Sequence, residues 1–485
     1  MKKIIFTAII IFTGLFISCE DFDVSNDNPD VALNISNNPE LLLTQFQRNS
    51  IRGAVSYSWS EGNLMGQYGA RIVFTEFDLF EWGDQSGAWN NFFISIRDAK
   101  ALEQIAVEES IPSYEAVSKI MQVWMFNILT DMWGDIPYTE VAKANEENYF
   151  PVYDEQQFIY SDMIDKLKEA NDILSGTNAT LKGDLLFDGN LSKWRKFANS
   201  LRLRLALRLS KVDASKAQSI ISEIYGNPSQ YPVMESNIDN VILQFLSSNP
   251  DAHPVTEESV YRVGSYNEYR ISENFVGILK SFNDPRLEFL ADPTANSVEN
   301  GTPEIQGMQN GIVDGPAYEY KGGDAFLSKF NIDYFYLQPN ANDARLMLSS
   351  EVDFIFAEAA QRGWINADAK TFYEKGIQSN FEYWDVEMPT DYLSRTGVIY
   401  NGALETIINQ KYISLFYTDY QGFIEFKRTG FPSTIKPGPD AFYSTYPSRF
   451  EYPSEEQSLN ADNYNEAVNR MNGGDEITTK VWWEN

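Results

Sequence analysis

The chain has 485 residues, with 69 Asp and Glu against 38 Lys and Arg, for a formal net charge of −31. Such a surface repels nucleic-acid phosphates and anionic lipid headgroups, which excludes a nucleic-acid role and a basic membrane-binding patch. Apolar residues at 43% and aromatics at 14% exclude general disorder, and a single cysteine excludes a disulfide framework.

Met1-Lys2-Lys3 supplies a charged start, Ile4 to Ile17 an apolar run of secretory length, and Ser18 a small residue before Cys19. That is the shape of a lipobox. Cleavage before Cys19 would leave its sulfur carrying a diacylglyceryl group, so the protein would be anchored to a membrane without spanning it. The alternative is an ordinary signal cut elsewhere, with Cys19 discarded or left as a stray thiol. The run is short of the about 20 residues a transmembrane helix needs, and no second run approaches that length. Export without disulfides points to a bacterial envelope protein. Residues 19–38, with Glu20-Asp21-Phe22-Asp23 directly after the cysteine, read as an acidic, extended tether that lacks the Gly and closing Glu of a calcium loop.

Helical signals follow. Pro39-Glu40-Leu41-Leu42-Leu43 opens a first helix. Ser113 is read as the cap of another, which carries Met121, Trp124, Met125, Ile128 and Leu129 and stops at Gly134 in a left-handed conformation, ahead of Pro137. Trp133 and Tyr138 are assigned to the core. Tyr160, Ile164, Leu167, Ala170 and Leu174 share one helical stripe, as do Trp194, Phe197, Ala198, Leu201 and Leu205. Residues 349–362, 367–384 and 404–416 repeat the pattern, giving helix pairs of repeat-protein size without a sequence repeat. Between about 228 and 345 the helical period gives way to Pro, Gly, Asn and Tyr, with strand-like runs at Val241 to Phe245 and Tyr334 to Leu337. The tail from 430 to 485 is again loop-rich. Long irregular stretches in a compact protein are usually functional.

The 27 Tyr, 32 Phe and 10 Trp serve mainly a core, but Tyr and Trp among amides and carboxylates also suit a sugar site. A pyranose stacks its apolar face on a ring while its hydroxyls take directional hydrogen bonds. The ligand candidates are Trp59, then Arg71, Trp82, Asp84, Trp89 and Asn90 within the ring- and amide-rich stretch 71–91, and Tyr334 and Tyr336. A buried aromatic helix-loop segment explains 71–91 equally well. Arg195, Arg202, Arg204 and Arg208 lie on one helix and are assigned to intramolecular ion pairs. Glu351 and Glu358 share a helix face, where helix capping and packing against Arg or Tyr partners are favoured over a catalytic carboxylate pair. His253, the sole histidine, leaves His-based triads, clustered-His metal sites and haem ligation without support. Walker and dinucleotide glycine motifs are missing, and no metal or cofactor is assigned.

Several segments taken together resemble the SusD/RagB family of outer-membrane nutrient-binding lipoproteins of Bacteroidetes. They are Leu129 to Tyr138 (LTDMWGDIPY), Lys193 to Arg204 (KWRKFANSLRLR), Asn283 to Leu287 (NDPRL), Glu351 to Trp364 (EVDFIFAEAAQRGW) and Gln410 to Phe416 (QKYISLF). The resemblance implies a mainly α, SusD-like fold in a single domain, 39–485. Four tetratricopeptide-like helix pairs would form its scaffold, about 39–225 and 346–428, and a ligand-binding half with short strands the rest, about 228–345 and 430–485. It further implies a cell-surface protein without catalysis that captures oligosaccharide and hands it to a SusC-like TonB-dependent outer-membrane transporter. Glu20, Asp21 and Asp23 resemble the family's signal for display on the cell exterior. Two alternatives stand beside this: the same role for peptides, as in RagB-like members, and a surface glycoside hydrolase.

Overall fold

Apolar side chains at three- and four-residue spacing fold the first half of the chain into helices that pack on their sequence neighbours. The computed structural model describes residues 38–143, 147–256, 265–338 and 340–485, so Cys19 and the tether lie outside the described residues. After α1 (Pro39–Tyr57), β1 (Gly69–Arg71) leads to α2 (Ser86–Glu108), which buries Trp89, Phe92, Ile96, Ala99 and Leu102 along one face. Almost every side chain of α3 (Pro112–Trp133) is buried, because α2 covers it on one side and α4 (Gln156–Ser175) on another. The short strands β2 (Ile136–Pro137) and β3 (Tyr153–Asp154) pair between them, antiparallel. α4 then packs on α5 (Leu191–Arg208), and α5 on α6 (Ala214–Gly226).

The loop-rich stretch carries β4 (Val241–Gln244), β5 (Tyr269–Ile271) and α7 (Glu273–Ser281). β5 returns to pair antiparallel with β1, Gly69 opposite Ile271 and Arg71 opposite Tyr269, while β4 pairs with β6 (Asp343–Met347). The chain then re-enters helices: α8 (Ser349–Gln361) against α9 (Ala369–Tyr383) and α10 (Leu404–Ser414), followed by α11 (Gln421–Thr429) and, in the tail, α12 (Ala461–Arg470). Residues 40–485 form one compact unit. One large apolar cluster fills it, and a small second one of Ala70, Ile72, Met308, Ile312, Ala317 and Leu327 lies under the loops.

The buried arginines of α5 take carboxylate partners: Arg202 with Glu223 and Arg204 with Glu351, each at 2.6 Å, and Arg208 with Asp131 at 3.5 Å. Arg195 differs, donating to Asn171 Oδ1 and the Gln230 carbonyl. Asp131, in the last turn of α3, also accepts a hydrogen bond from the Trp483 indole at 2.9 Å, across 352 positions of sequence.

Three local expectations are revised. Ser113 is not a cap: Pro112 occupies the first turn, where its missing N–H costs nothing, and the Ser113 hydroxyl donates to the Thr180 carbonyl. Gly134 does end α3 with φ +87°, but at ψ −121° it lies outside the left-handed helical well. Tyr334 to Leu337 is not a strand. Residues Asp333–Leu337 coil into one π-helical turn, with Asn331 Oδ1 accepting from the Tyr334 N–H at its start.

Candidate functional site

Most of the rings singled out in the sequence stand in the core. Trp59, in the π-helical turn Ser58–Gly62, is 5% exposed and ringed by Tyr269, Phe330, Phe335, Tyr336 and Tyr417 at centroid distances of 5.2–6.0 Å. The buried Tyr336 meets it edge-on at 5.2 Å. Trp82 is stacked on Phe77 at 5.6 Å and meets Phe450 edge-on at 5.4 Å. Phe450 touches Trp133 at 5.1 Å, and Trp133 touches Trp89 at 5.4 Å, so one chain of rings joins Trp82 to Trp89 inside the molecule. All four of these rings, Trp59, Trp82, Trp89 and Tyr336, are buried, and none is open to a ligand in this conformation. Tyr334 is half-buried, wedged between Phe289 and Phe335. Asp84 and Asn90 are exposed, and Asp84 accepts from Ser86 and Ser454, pinning the tail to the start of α2.

Solvent-facing rings gather elsewhere, over the small second cluster. Phe74, Tyr318 and Phe326 are 54%, 53% and 38% exposed. Phe74 has φ +55°, uncommon for a bulky residue, and the loop is held there by the next N–H, Thr75, donating to Asp314 Oδ1 at 3.0 Å. Arg71 at the base of the same loop pairs with Glu268 at 3.0 Å, lies over the Tyr269 ring, and donates to the Phe74 carbonyl.

Next to these rings opens a cleft of about 610 Å³, whose walls include Gln67, Asn274, Gln309, Asn310, Tyr320 and Asn409. Five separate stretches meet there. The loop at 436–438 lies directly against that at 310–311: a Cβ added to Gly438 would stand 2.1 Å from the Asn310 carbonyl oxygen, so only glycine permits the approach. Asn310 ties the wall together, donating to the Gly69 carbonyl and Asp78 Oδ1 while accepting from Ser272. Burial pushes Asp78 up to about 6 despite the hydrogen bonds from the Arg71 N–H and Asn310. Tyr320 is half-buried. It packs on the second cluster, lines the cleft, and donates its hydroxyl to Glu273 at 2.7 Å; burial and that carboxylate push it up to about 12. The Asn409 Oδ1 atom is buried with no partner.

The side-chain amides share this lining with Glu273, Glu405, Lys436 and the rings of Phe282 and Tyr320, an arrangement suited to a ligand rich in hydroxyl or amide groups. Tyr320, Gln67, Asn310 and Asn409 were not singled out from the sequence. The two tyrosines in Gly315-Pro316-Ala317-Tyr318-Glu319-Tyr320-Lys321-Gly322-Gly323 carried a signal, since rings flanked by Gly and Pro stay near a surface.

Chemistry at a reacting centre finds little here. His253 is wholly buried and its pKa falls to about 3, from burial first and then from Arg345 and Arg52, so it stays neutral and away from solvent. Glu351 and Glu358 are consumed by Arg204 and Arg428. Among the described residues, no three His, Cys, Asp or Glu converge as a metal site, and no helix is long and apolar enough to cross a membrane.

The family model SusD-like_2, described as starch-binding and associating with the outer membrane, matches residues 32–453. The chain belongs to the SusD-like family. Among solved structures, the SusD-like chain is similar to a SusD homologue of Bacteroides fragilis at 27% identity and a TM-score of 0.79, covering 92% of this chain and 99% of that one. A chitin-binding protein is equally similar at 27% identity, with a TM-score of 0.81 and coverage of 92% and 100%. A chitin-binding SusD homologue of Flavobacterium johnsoniae shares the fold at 21% identity and a TM-score of 0.77, over 93% of this chain and 99% of that one. No curated protein matches the sequence. The SusD-like fold accounts for the mainly α architecture and the short strands of the loop-rich part.

Proposed function

We propose that this SusD-like protein is a non-catalytic surface lipoprotein that takes oligosaccharide into the cleft beside Tyr320. It then passes the ligand to a SusC-like TonB-dependent transporter in the outer membrane. The observation that carries the reading is the cleft rich in side-chain amides with Tyr320 in its wall and the exposed Tyr318 two residues away along the chain. Amides match the alternating donors and acceptors of sugar hydroxyls, and rings cover the apolar face of a pyranose. Arg71 keeps a place at the edge of this surface, while Trp59, Trp82, Trp89 and Tyr336 support it from within. Asp84, Asn90 and Tyr334 reach solvent on other elements. Because a relative at 27% identity is a chitin-binding protein, oligomers of N-acetylglucosamine are the first ligands to try. An acetamido group would meet the amide wall with one donor and one acceptor.

Attachment through Cys19, facing the cell exterior, completes the role, since nutrient held at a lipid-anchored surface needs a channel to enter. Calorimetric titration with chito-, malto-, cello- and xylo-hexaoses tests the reading, with the supernatant analysed for cleavage products. Binding without products is expected. Heat from oligopeptides alone would move the role to peptides, and released sugars would make the protein a hydrolase.

A further inference from the structure

A second opening lies on the helical half, at the seam of α3, β3, α4 and the tail. One cavity of about 510 Å³ is lined by Gly134, Gln156, Arg449, Thr479 and Trp482 among others. A neighbouring cavity of about 520 Å³, lined by Phe158, shares Glu155, Gln157 and Arg470 with it. Together they make one groove. The half-buried Trp482 belongs to one part and the exposed Phe158 to the other.

Both arginines of the groove are paired, Arg470 with Asp135 at 2.8 Å and Arg449 with Asp475 at 2.7 Å, while Asp154, Glu155 and Lys480 also line it. Two polar atoms are left over. The Arg449 side chain, 1% exposed, donates Nε to the Trp133 carbonyl and Nη1 to Asp475, and its Nη2 has no partner. Gln156 donates Nε2 to the Thr130 carbonyl, and its Oε1 has no partner. A buried donor and a buried acceptor left unmade both destabilise a fold, and both belong to side chains that line the groove, which suits a group that donates and accepts. A hydroxyl does both. A pyranose brings several, together with an apolar face for a ring to cover, and cavities of about 510 and 520 Å³ leave room for more than one sugar unit.

We propose that this groove is a second oligosaccharide site, holding a distal stretch of the polymer whose other part occupies the cleft of Tyr320. The inference rests on the glycan reading of that cleft, with which the groove shares no lining residue. A strand engaging two sites is held more tightly than a fragment engaging one, because the second contact becomes intramolecular.

The test uses the full chain and four soluble probes: glycol chitin, starch, xylan and mixed-linkage β-glucan. Affinity electrophoresis on each polymer is compared with calorimetry on the corresponding hexasaccharide, for wild type, Tyr320→Ala, Trp482→Ala and Phe158→Ala. Thermal melts identify any variant that fails to fold, and the exposed Phe158 keeps the test valid if Trp482→Ala does. The expected result is a loss of about fivefold or more in affinity for the retained polymer in the groove variants, with hexasaccharide affinity held within about twofold. Tyr320→Ala should instead weaken the hexasaccharide. Polymer affinity unchanged in both groove variants overturns the second site and leaves the cleft intact. Tyr320→Ala without effect, beside groove variants that lose all binding, overturns the cleft reading and supports the groove. Wild type retained by no polymer and heated by no hexasaccharide overturns both.

Discussion

Arg428 of α11 grips Glu358 of α8 with both arms of its guanidinium, Nη1 to Oε1 at 2.8 Å and Nη2 to Oε2 at 2.6 Å, where neither side chain reaches solvent. Glu425 accepts from Arg428 as well, and Lys411 of α10 lies 3.1 Å from Glu425. Burial opposes the charge on both glutamates, but Arg428 outweighs it, with Lys411 adding at Glu425, and holds both carboxyls below the usual range. This network locks α8, α10 and α11 together under the cleft. Removing one partner strands charge in the core.

Glu358→Ala is therefore expected to cost about 3–5 kcal/mol of stability, read by urea denaturation. Replacing Glu358 and Arg428 together with Met should cost less than the single change, since the fully buried guanidinium that Glu358 helps to neutralise leaves with it. A double variant weaker than the single one would show that the pair contributes more than the isolation of its members.

Asp419 gives the protein a pH dependence of known sign. It is buried, at φ +35°, and burial pushes its carboxyl from 3.8 up to about 7 in spite of Arg204 nearby. The folded state thus holds a proton that the unfolded chain has lost between about pH 4 and 7, so this group makes stability fall as pH rises through that window. Asn keeps the shape, tolerates the backbone, and carries no charge. Unfolding free energies at pH 5 and pH 8 should show wild type losing more than Asp419→Asn, and equal losses would remove Asp419 as the cause.

Trp82→Ala and Tyr320→Ala should separate folding from binding. Trp82 is packed among Phe77, Phe80, Phe423 and Phe450, so its truncation is expected to cost about 3–5 kcal/mol of stability. Tyr320→Ala should leave the melting temperature near wild type and weaken hexasaccharide binding several-fold, about 0.5–1.5 kcal/mol for one lost ring. Calorimetry beside thermal melts reads both, and a Trp82→Ala variant that melts normally but binds weakly would return the site to the 71–91 stretch.

Cys19→Ala should shift the protein from the membrane fraction to the soluble fraction, because the acyl chains attached there are the proposed anchor. Immunoblots of fractionated cells check this. Persistence in the membrane fraction would assign attachment to another segment or to the partner.

Where the pattern was periodic, the sequence spoke clearly. Tyr160 to Leu174 and Trp194 to Leu205 fall on buried helix faces because a 3.6-residue repeat of apolar groups has one stable burial. The assignment of Arg202, Arg204, Glu351 and Glu358 to internal pairs was legible too, since so acidic a chain leaves few arginines free. Ring-rich segments were ambiguous for a physical reason. A tryptophan that stacks on sugar and one that stacks on Phe450 have the same neighbours in sequence, and only the long-range approach of the tail decides for Trp82. The cleft was hidden for a related reason, as Gln67, Asn310, Tyr320 and Asn409 come from stretches that no local periodicity connects.

The indole of Trp483 bonded to Asp131 has a consequence in time. A ribosome delivers α3 and its carboxylate hundreds of residues before the tryptophan that completes its bonding, and Phe450, which covers Trp133, also arrives late. A nascent chain that stops at α12 has the scaffold helices but an unfinished centre, so the last turn acts as a keystone set after the arch is raised. Loss of residues 481–485 would leave the buried Asp131 without its indole donor and open the groove beside it.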